Sequence, residues 1–218
     1  MVEIVKTSDG SSTLFVPELN EHYHSVHGAI QESAFIFIGC GLNFSKADPL
    51  RIFEVGFGTG LNAFLTAIDA SSHNRKIIYT SIEKYPLPDS LVNELNYKSF
   101  FPRESAYLFD RIHQGKWNIA QDISNTFTLN KIEGDITKQE IRGDYDLIFF
   151  DAFGPDKQPE MWTDEVFKKI AEITVPNGVL LTYSVKGEVK RKLRKYGFKV
   201  NRLPGPPGKH QIIRAVKI

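Results

Sequence analysis

A chain of 218 residues, 41% hydrophobic and 24% charged, is long enough for one α/β domain with a real core and lies outside the disordered range. The single cysteine, Cys40, excludes an internal disulfide framework and a cysteine-rich zinc site and fits a reducing cytoplasm. No apolar stretch is long enough to span a bilayer, and the polar start MVEIVKTSDGSS lacks the core of a secretory signal. The net charge of +1 hides an asymmetry, because eleven Lys and Arg face one acid, Glu188, from Lys186 to the end. Such an end suits an anionic partner, and equally a solvated helix face followed by lysine-rich edge strands.

Residues 1–45 read as an N-terminal extension packed on a main domain, 46–218. The stretch Asn20–Ser33 holds His22, His24 and His27, and Ala34–Ile38 is an apolar run. From Leu50 the pattern alternates. Arg51–Val55 is a short apolar strand, Leu61–Ala70 has apolar residues at helical spacing, and Lys76–Ile82 is a second strand. Pro88–Lys98 is helical in pattern, and Phe100–Asn118 reads as one helix and a loop. Phe127–Glu133 and Tyr145–Phe150 are the third and fourth strands. Thr163–Thr174 is a helix with Thr163 as its N-cap and acids in its first turn. Gly178–Val185 is a strand, Glu188–Tyr196 a basic helix stopped by Gly197, and Phe198–Leu203 and Gln211–Lys217 the last strands. This order predicts a mostly parallel sheet, with ligands bound at the carboxyl ends of its strands.

The segments after those strands carry the chemistry. The first is Glu54-Val-Gly56-Phe-Gly58-Thr59-Gly60-Leu-Asn62. Its G-x-G-x-G spacing puts Leu61 where a dinucleotide fingerprint needs its third glycine, and no Gly-Lys-Ser/Thr follows, so NAD and a P-loop are both disfavoured. Glu54 adds an acceptor for a cationic amino group, which suits an amino-acid-bearing ligand such as S-adenosylmethionine (SAM). Glu83, after the second strand, can take both hydroxyls of a ribose or be a solvated strand end. Gly134-Asp135 can accept from an adenine amino group or be a turn pair. Asp151 ends the most apolar strand and opens DAFGPDKQPEMW, where two prolines stiffen a loop bearing Phe153, Met161 and Trp162. Trp162 can equally plug the core. The histidines form no HExxH and no carboxylate pair has metal-ligand spacing, so no metal is expected. No G-x-S-x-G elbow supports a serine hydrolase.

EVGFGTGLN, IEKYPL, the GD pair and DAFGPDKQPEMWT together resemble the methyltransferase domain of the MnmC family, which completes 5-methylaminomethyl-2-thiouridine at the tRNA wobble position. The segment YHSVHGAIQESAFIFI is similar to that family's entry segment, with Ser25, Glu32 and Phe37 at matching places. The resemblance spans roughly residues 20–215. It implies a class I, Rossmann-like SAM-dependent fold of seven strands with the last antiparallel, and N-methylation of the primary amine of 5-aminomethyluridine in tRNA. By position it implies that Glu54, Gly56, Gly58, Thr59, Gly60 and Asn62 line the methionine side of SAM, that Glu83 and Lys84 sit at its ribose, and that Gly134 and Asp135 sit at its adenine. Asp151 is implied as the catalytic residue, with Ser25, Glu32, Phe153, Pro155, Lys157, Met161, Trp162 and Lys209 around the substrate. The implied partners are the tRNA anticodon stem-loop, held by the basic end, and the enzymes that install the aminomethyl group. Many relatives carry an FAD-dependent oxidase that this chain has no room for, so that activity is not expected here.

Other classes stay open on sequence alone. They are a methyltransferase for a small molecule or protein amine, an aminopropyltransferase of the spermidine-synthase type, and a tRNA-binding module that keeps SAM without catalysis.

Overall fold

The computed structural model describes residues 2–218. The chain starts with β1 (Glu3–Lys6), β2 (Ser12–Val16) and β3 (Glu21–His22), which pair antiparallel into a small sheet. The helix α1 (Ala29–Ser33) then runs without a break into a π-helical stretch, Ala34–Leu42. The run Ala34–Ile38 is therefore helical, and its apolar side is buried. Phe37 packs on Phe149 with ring centroids 4.9 Å apart, and a Cβ on Gly41 would come within 3.2 Å of both Phe149 and Leu181. Leu14, Ile36, Phe37 and Leu42 belong to the same buried cluster as the central sheet, so the first 45 residues share its core.

The central sheet follows. Its elements are β4 (Leu50–Val55), α2 (Leu61–Ser72), β5 (Ile77–Glu83), α3 (Asp89–Glu94), α4 (Arg103–Gln114), β6 (Gln121–Ser124), β7 (Phe127–Glu133), β8 (Tyr145–Phe150), α5 (Asp164–Ile173), β9 (Thr174–Thr182), α6 (Gly187–Lys195), β10 (Phe198–Pro204) and β11 (Gln211–Lys217). The strand order is β10-β11-β9-β8-β4-β5-β7-β6. Strands β7, β5, β4, β8 and β9 are parallel, and β11 runs antiparallel between β9 and β10. All seven expected strands are present, with the last one antiparallel. The eighth, β6, is a polar edge strand paired antiparallel to β7. Its sequence, QDIS, carries no apolar alternation, and at the edge of the sheet only Ile123 is buried.

Alternation explains the two cores. In β8, Leu147 and Phe149 point to one face with α2 and α4, while Ile148 and Phe150 point to the other with α5 and α6. Both faces are covered, which is why YDLIFF reads as a nearly unbroken apolar run. On the second face Phe150 stacks on Phe167 at 5.3 Å.

Two elements differ most from the sequence reading. Strand β9 begins at Thr174, directly after α5, and Pro176–Asn177–Gly178 form an irregularity inside it, with Asn177 at φ 64°. The helical pattern of Pro88–Lys98 resolves into the short α3 and a separate 3-10 turn, Tyr97–Phe100. Thr163 does cap α5, accepting a hydrogen bond from the Val166 amide. Thr163→Ala is expected to cost about 1 kcal/mol of stability, read from chemical denaturation.

Candidate cofactor and substrate site

From β4 the chain builds outward to β5 and β7 in one direction and to β8 and β9 in the other. That reversal opens a crevice at the strands' carboxyl ends. A cavity of about 380 Å³ lies there. It is lined by the turn after β4, Glu83–Tyr85 after β5, Gly134–Ile136 after β7, Asp151–Gly154 after β8 and Tyr183 after β9. Residues 21–26 and Glu32 of the N-terminal segment and Lys209 of the β10–β11 hairpin close it.

The turn after β4 depends on its glycines. A Cβ on Gly56 (φ 90°) would stand 3.0 Å from the Asp151 carbonyl oxygen, and one on Gly58 (φ 50°) would stand 3.0 Å from the Tyr23 ring. Glycine permits both the positive φ and the close approach. The Glu83 carboxylate is held in front of this turn by the amides of Gly58 (3.0 Å) and Tyr85 (2.9 Å). Burial pushes its pKa up against those hydrogen bonds. Lys84 reaches across to Asp135 at 3.1 Å. Asp135 also accepts from the amide and hydroxyl of Thr137 at 2.9 and 2.6 Å. Burial opposes ionisation of Asp135, but these hydrogen bonds and Lys84 bring its pKa down to about 2.

At the other end of the cavity Asp151 accepts from the Asn62 side-chain amide at 2.8 Å. Burial, with Glu32 and Glu54 nearby, drives its pKa well above the usual carboxylate range. Glu32 accepts from the Ser25 amide at 2.7 Å and pairs with Lys209 at 2.6 Å. Lys209 also lies 4.9 Å from the centre of the Tyr183 ring. Three residues far apart in sequence thus meet beside Asp151. Phe153 meets Tyr23 edge-on at 5.0 Å, and Met161 completes the wall.

The model of an S-adenosyl-L-methionine-dependent methyltransferase family matches residues 105–218. This chain belongs to that family.

The methyltransferase is similar to the bifunctional tRNA 5-methylaminomethyl-2-thiouridine biosynthesis protein MnmC of Pseudomonas fluorescens, with 34% identity over 208 residues. The match covers 88% of this chain and 31% of the relative. The chain thus spans about a third of the length of the curated relatives it matches, and it corresponds to their methyltransferase part alone. Its fold is similar to that of MnmC2 from Aquifex aeolicus, with a TM-score of 0.80, 28% identity, and coverage of 99% of this chain and 69% of the other. Spermidine synthase from Thermotoga maritima, at 11% identity and a TM-score of 0.59 over 99% of this chain and 68% of that one, shares the fold alone.

The methyltransferase's own residues fit SAM. Gly56 and Gly58 line the cavity, the Glu83 carboxylate faces the same space, and Ile82, Ile136 and Asp135 offer a partly apolar slot beyond it.

Of the positions singled out from sequence, Gly56, Gly58, Glu83, Lys84, Gly134 and Asp135 line the cavity, and so do Ser25, Glu32, Asp151, Phe153, Met161 and Lys209. Others stand behind the wall. Glu54 points under the turn, bonded to Asn62 (3.0 Å) and Ser81 (2.7 Å), and burial pushes its pKa up to about 8. It therefore does not offer a free carboxylate to a cationic ligand as expected. Thr59 and Asn62 are buried and Gly60 is the left-handed N-cap of α2, so these three shape the turn from beneath. Trp162, 2% exposed, packs on Phe150 and donates from its indole to the Phe153 carbonyl at 2.7 Å. The core-plug alternative is thus the one the packing supports, and Trp162 acts on the cavity by holding Phe153. Pro155 and Lys157 lie outside the lining, and the Lys157 ammonium ties the loop to the carbonyls of Leu19 and Asn20.

Sequence reasoning missed Tyr23, Tyr85 and Tyr183 and gave His24 no role. His24 bonds the Thr59 hydroxyl at 2.8 Å, and burial lowers its pKa to about 4. It is a neutral link between the N-terminal segment and the glycine turn. The histidine-rich segment was a visible signal, but its fold-back over the turn was not. Among the described residues no helix is long and apolar enough to cross a membrane.

Proposed function

We propose that this methyltransferase N-methylates the primary amine of 5-aminomethyl(-2-thio)uridine at the tRNA wobble position. The observation that carries the reading is the far end of the cavity, where Asp151 and Glu32 present carboxyl groups beside Tyr23, Phe153 and Tyr183. Acceptors flanked by rings suit an amine carried on a flat base, unstacked as single-stranded RNA bases are when proteins read them. The likeness to MnmC proteins supports the same substrate.

SAM supplies an electrophilic sulfonium methyl when bound. Gly56, Gly58 and Glu83 would hold it, and Asp151 lines the part of the cavity left to the substrate amine. Asp151 accepts a hydrogen bond from the substrate amine and turns its lone pair toward the transferred group, which is chiefly positioning work. The alkylammonium form must lose a proton first. An ordinary carboxylate is a weak base, whereas a buried one with a raised pKa is better matched to that proton. Tyr23 and Phe153 cover the base and exclude water.

The basic end supports an RNA partner once its internal contacts are subtracted. Lys192, Lys195, Lys209 and Lys217 are engaged with Trp162, Asp164, Glu32 and Tyr196. Lys186 pairs with Asp156. Among the described residues Lys190, Arg191, Arg194 and Lys199 form no ion pair, and the first three lie on α6. Lys190→Ala, Arg191→Ala and Arg194→Ala together are expected to weaken tRNA binding by about tenfold or more at low salt. They should also flatten the salt dependence by about two to three units of log–log slope. Filter binding across a salt series measures both, and unchanged binding would make this face merely solvated.

The defining experiment incubates the enzyme with labelled SAM and tRNA from cells lacking the final wobble methylation, then digests the RNA. Label in 5-methylaminomethyl(-2-thio)uridine is the expected result. Label in a small molecule or a protein in the same extract, with none in RNA, would reject it.

A further inference from the structure

The glycine turn rests on a buried polar unit that the mechanism above leaves unused. Glu54 is 1% exposed and Asn62 3%. The parallel register of β4 and β5 sets Ser81 beside Glu54, and its hydroxyl donates to Glu54 Oε2 at 2.7 Å. The first turn of α2 brings Asn62 to the same carboxyl, where Nδ2 donates to Glu54 Oε1 at 3.0 Å. That nitrogen also donates to Asp151 Oδ2 at 2.8 Å. An amide nitrogen has two hydrogens, and here each has a carboxyl acceptor. The two carboxyls therefore lie within about 6 Å of each other, bridged by one side chain. Asn62 Oδ1 is meanwhile buried without a hydrogen-bond partner among the described residues. An amide that strands its own oxygen is a poor packing residue, and its two donated bonds are what offset that cost.

We propose that Asn62 is a positioning residue for methyl transfer, a clamp that fixes Asp151 Oδ2 and leaves Oδ1 free to meet the substrate amine. The proposal rests on the role given to Asp151 above. The clamp reaches Asp151 from α2 and links it to Glu54 on β4. The other titratable groups facing Asp151 are Glu32 on α1, Lys209 on the hairpin, Tyr79 on β5 and Tyr183 after β9. Two substitutions then act on Asp151 in opposite directions. Asn62→Ala removes a donor to its ionised form, so the carboxyl ionises at higher pH. Glu54→Gln keeps an acceptor toward Asn62 but removes a neighbouring negative charge, so Asp151 ionises at lower pH. An Asn62 that only filled space would leave the Asp151 midpoint unmoved in Asn62→Ala.

The test titrates intact protein carrying ¹³C-labelled aspartate carboxyls, with the Asp151 resonance assigned by its loss in Asp151→Asn. Steady-state kinetics run on the same samples. The expected midpoint moves up by about one pH unit in Asn62→Ala and down in Glu54→Gln. In Asn62→Ala, kcat falls about tenfold or more while the KM for SAM stays within about twofold. The acid limb of the pH–rate profile should follow each midpoint. An unmoved midpoint in Asn62→Ala would overturn the clamp. So would a weakened SAM Kd with unchanged kcat, which would make Asn62 a cofactor-holding residue. Asn62→Leu, close in volume and without a donor, makes the same test if Asn62→Ala fails to fold. If the wild-type protein transfers no methyl to the tRNA while the midpoints still move apart, the substrate reading falls and the clamp on Asp151 stands.

Discussion

Asp151→Ala is expected to lower kcat for methyl transfer by about 10²–10⁴-fold while leaving SAM affinity within about threefold. The asymmetry follows from where Asp151 sits. It directly follows β8, the strand next to β4 at the sheet's reversal, and faces the part of the cavity walled by Glu32, Phe153 and Tyr183. The carboxylate proposed to hold the cofactor, Glu83, stands at the end of β5, beyond β4, and is bonded to the Gly58 amide. Isothermal titration with SAM and single-turnover kinetics separate the two effects, and equal turnover in the mutant would remove Asp151 from the mechanism. The raised pKa adds a pH dependence. Burial, Glu32 and Glu54 favour the neutral carboxyl, so the accepting form is lost as pH falls through a value well above the usual carboxylate range. The wild-type rate should therefore drop on the acid side at a higher pH than an ordinary aspartate gives. Stability shows the opposite sign. An acid whose folded pKa is raised destabilises the folded state once pH exceeds its unfolded value, and the penalty stops growing above the folded value. Asp151→Asn removes that penalty, so it should raise Tm at neutral pH while abolishing turnover. Such a trade is common where function needs a buried charge.

Glu83→Ala is expected to weaken SAM binding by about 10- to 100-fold, with kcat at saturating SAM much less affected. Hydrogen bonds to a charged group contribute about 1.5–3 kcal/mol, and each 1.4 kcal/mol is tenfold in affinity. Two structural facts make the loss large. The carboxylate stands at the end of β5 inside the cavity, and it is preset by the Gly58 and Tyr85 amides before any ligand arrives. Removing it also leaves the Gly58 amide without its acceptor, loosening the glycine turn. Glu83→Gln keeps an oxygen for one of the two amides and should fall between wild type and alanine. Titration calorimetry orders the three, and a SAM Kd unchanged in Glu83→Ala would exclude a cofactor role for this residue.

How much of this was legible in the sequence depends on the range of the interaction. Strand β7 (Phe127–Glu133), strand β8 (Tyr145–Phe150) and the Thr163 cap have the predicted positions, because apolar pattern and capping act over a few neighbouring residues. Strand β6 was invisible because an edge strand is defined by its partner, and QDIS has no pattern of its own. The start of β9 was misplaced because Pro176–Asn177–Gly178 reads as a turn, yet pairing with β8 holds it inside the strand.

The same division runs through the glycine turn. Composition and spacing alone determined that Glu54–Asn62 closes a strand and opens a helix, that it suits SAM better than NAD, and that acids follow the neighbouring strands. Those are properties of one turn and of residues adjacent in the chain. The sequence could not say which of its polar residues face the ligand. Strand alternation and the β4–β5 register turned Glu54 inward to Ser81 and Asn62, while Glu83 and Asp151 emerged at the strand ends into the cavity. Nor could it bring Ser25, Glu32 and Lys209 together, since only the fold-back of the N-terminal segment and the last hairpin closes those distances. Facing and long-range contact are set by how elements pack, and no local pattern encodes them.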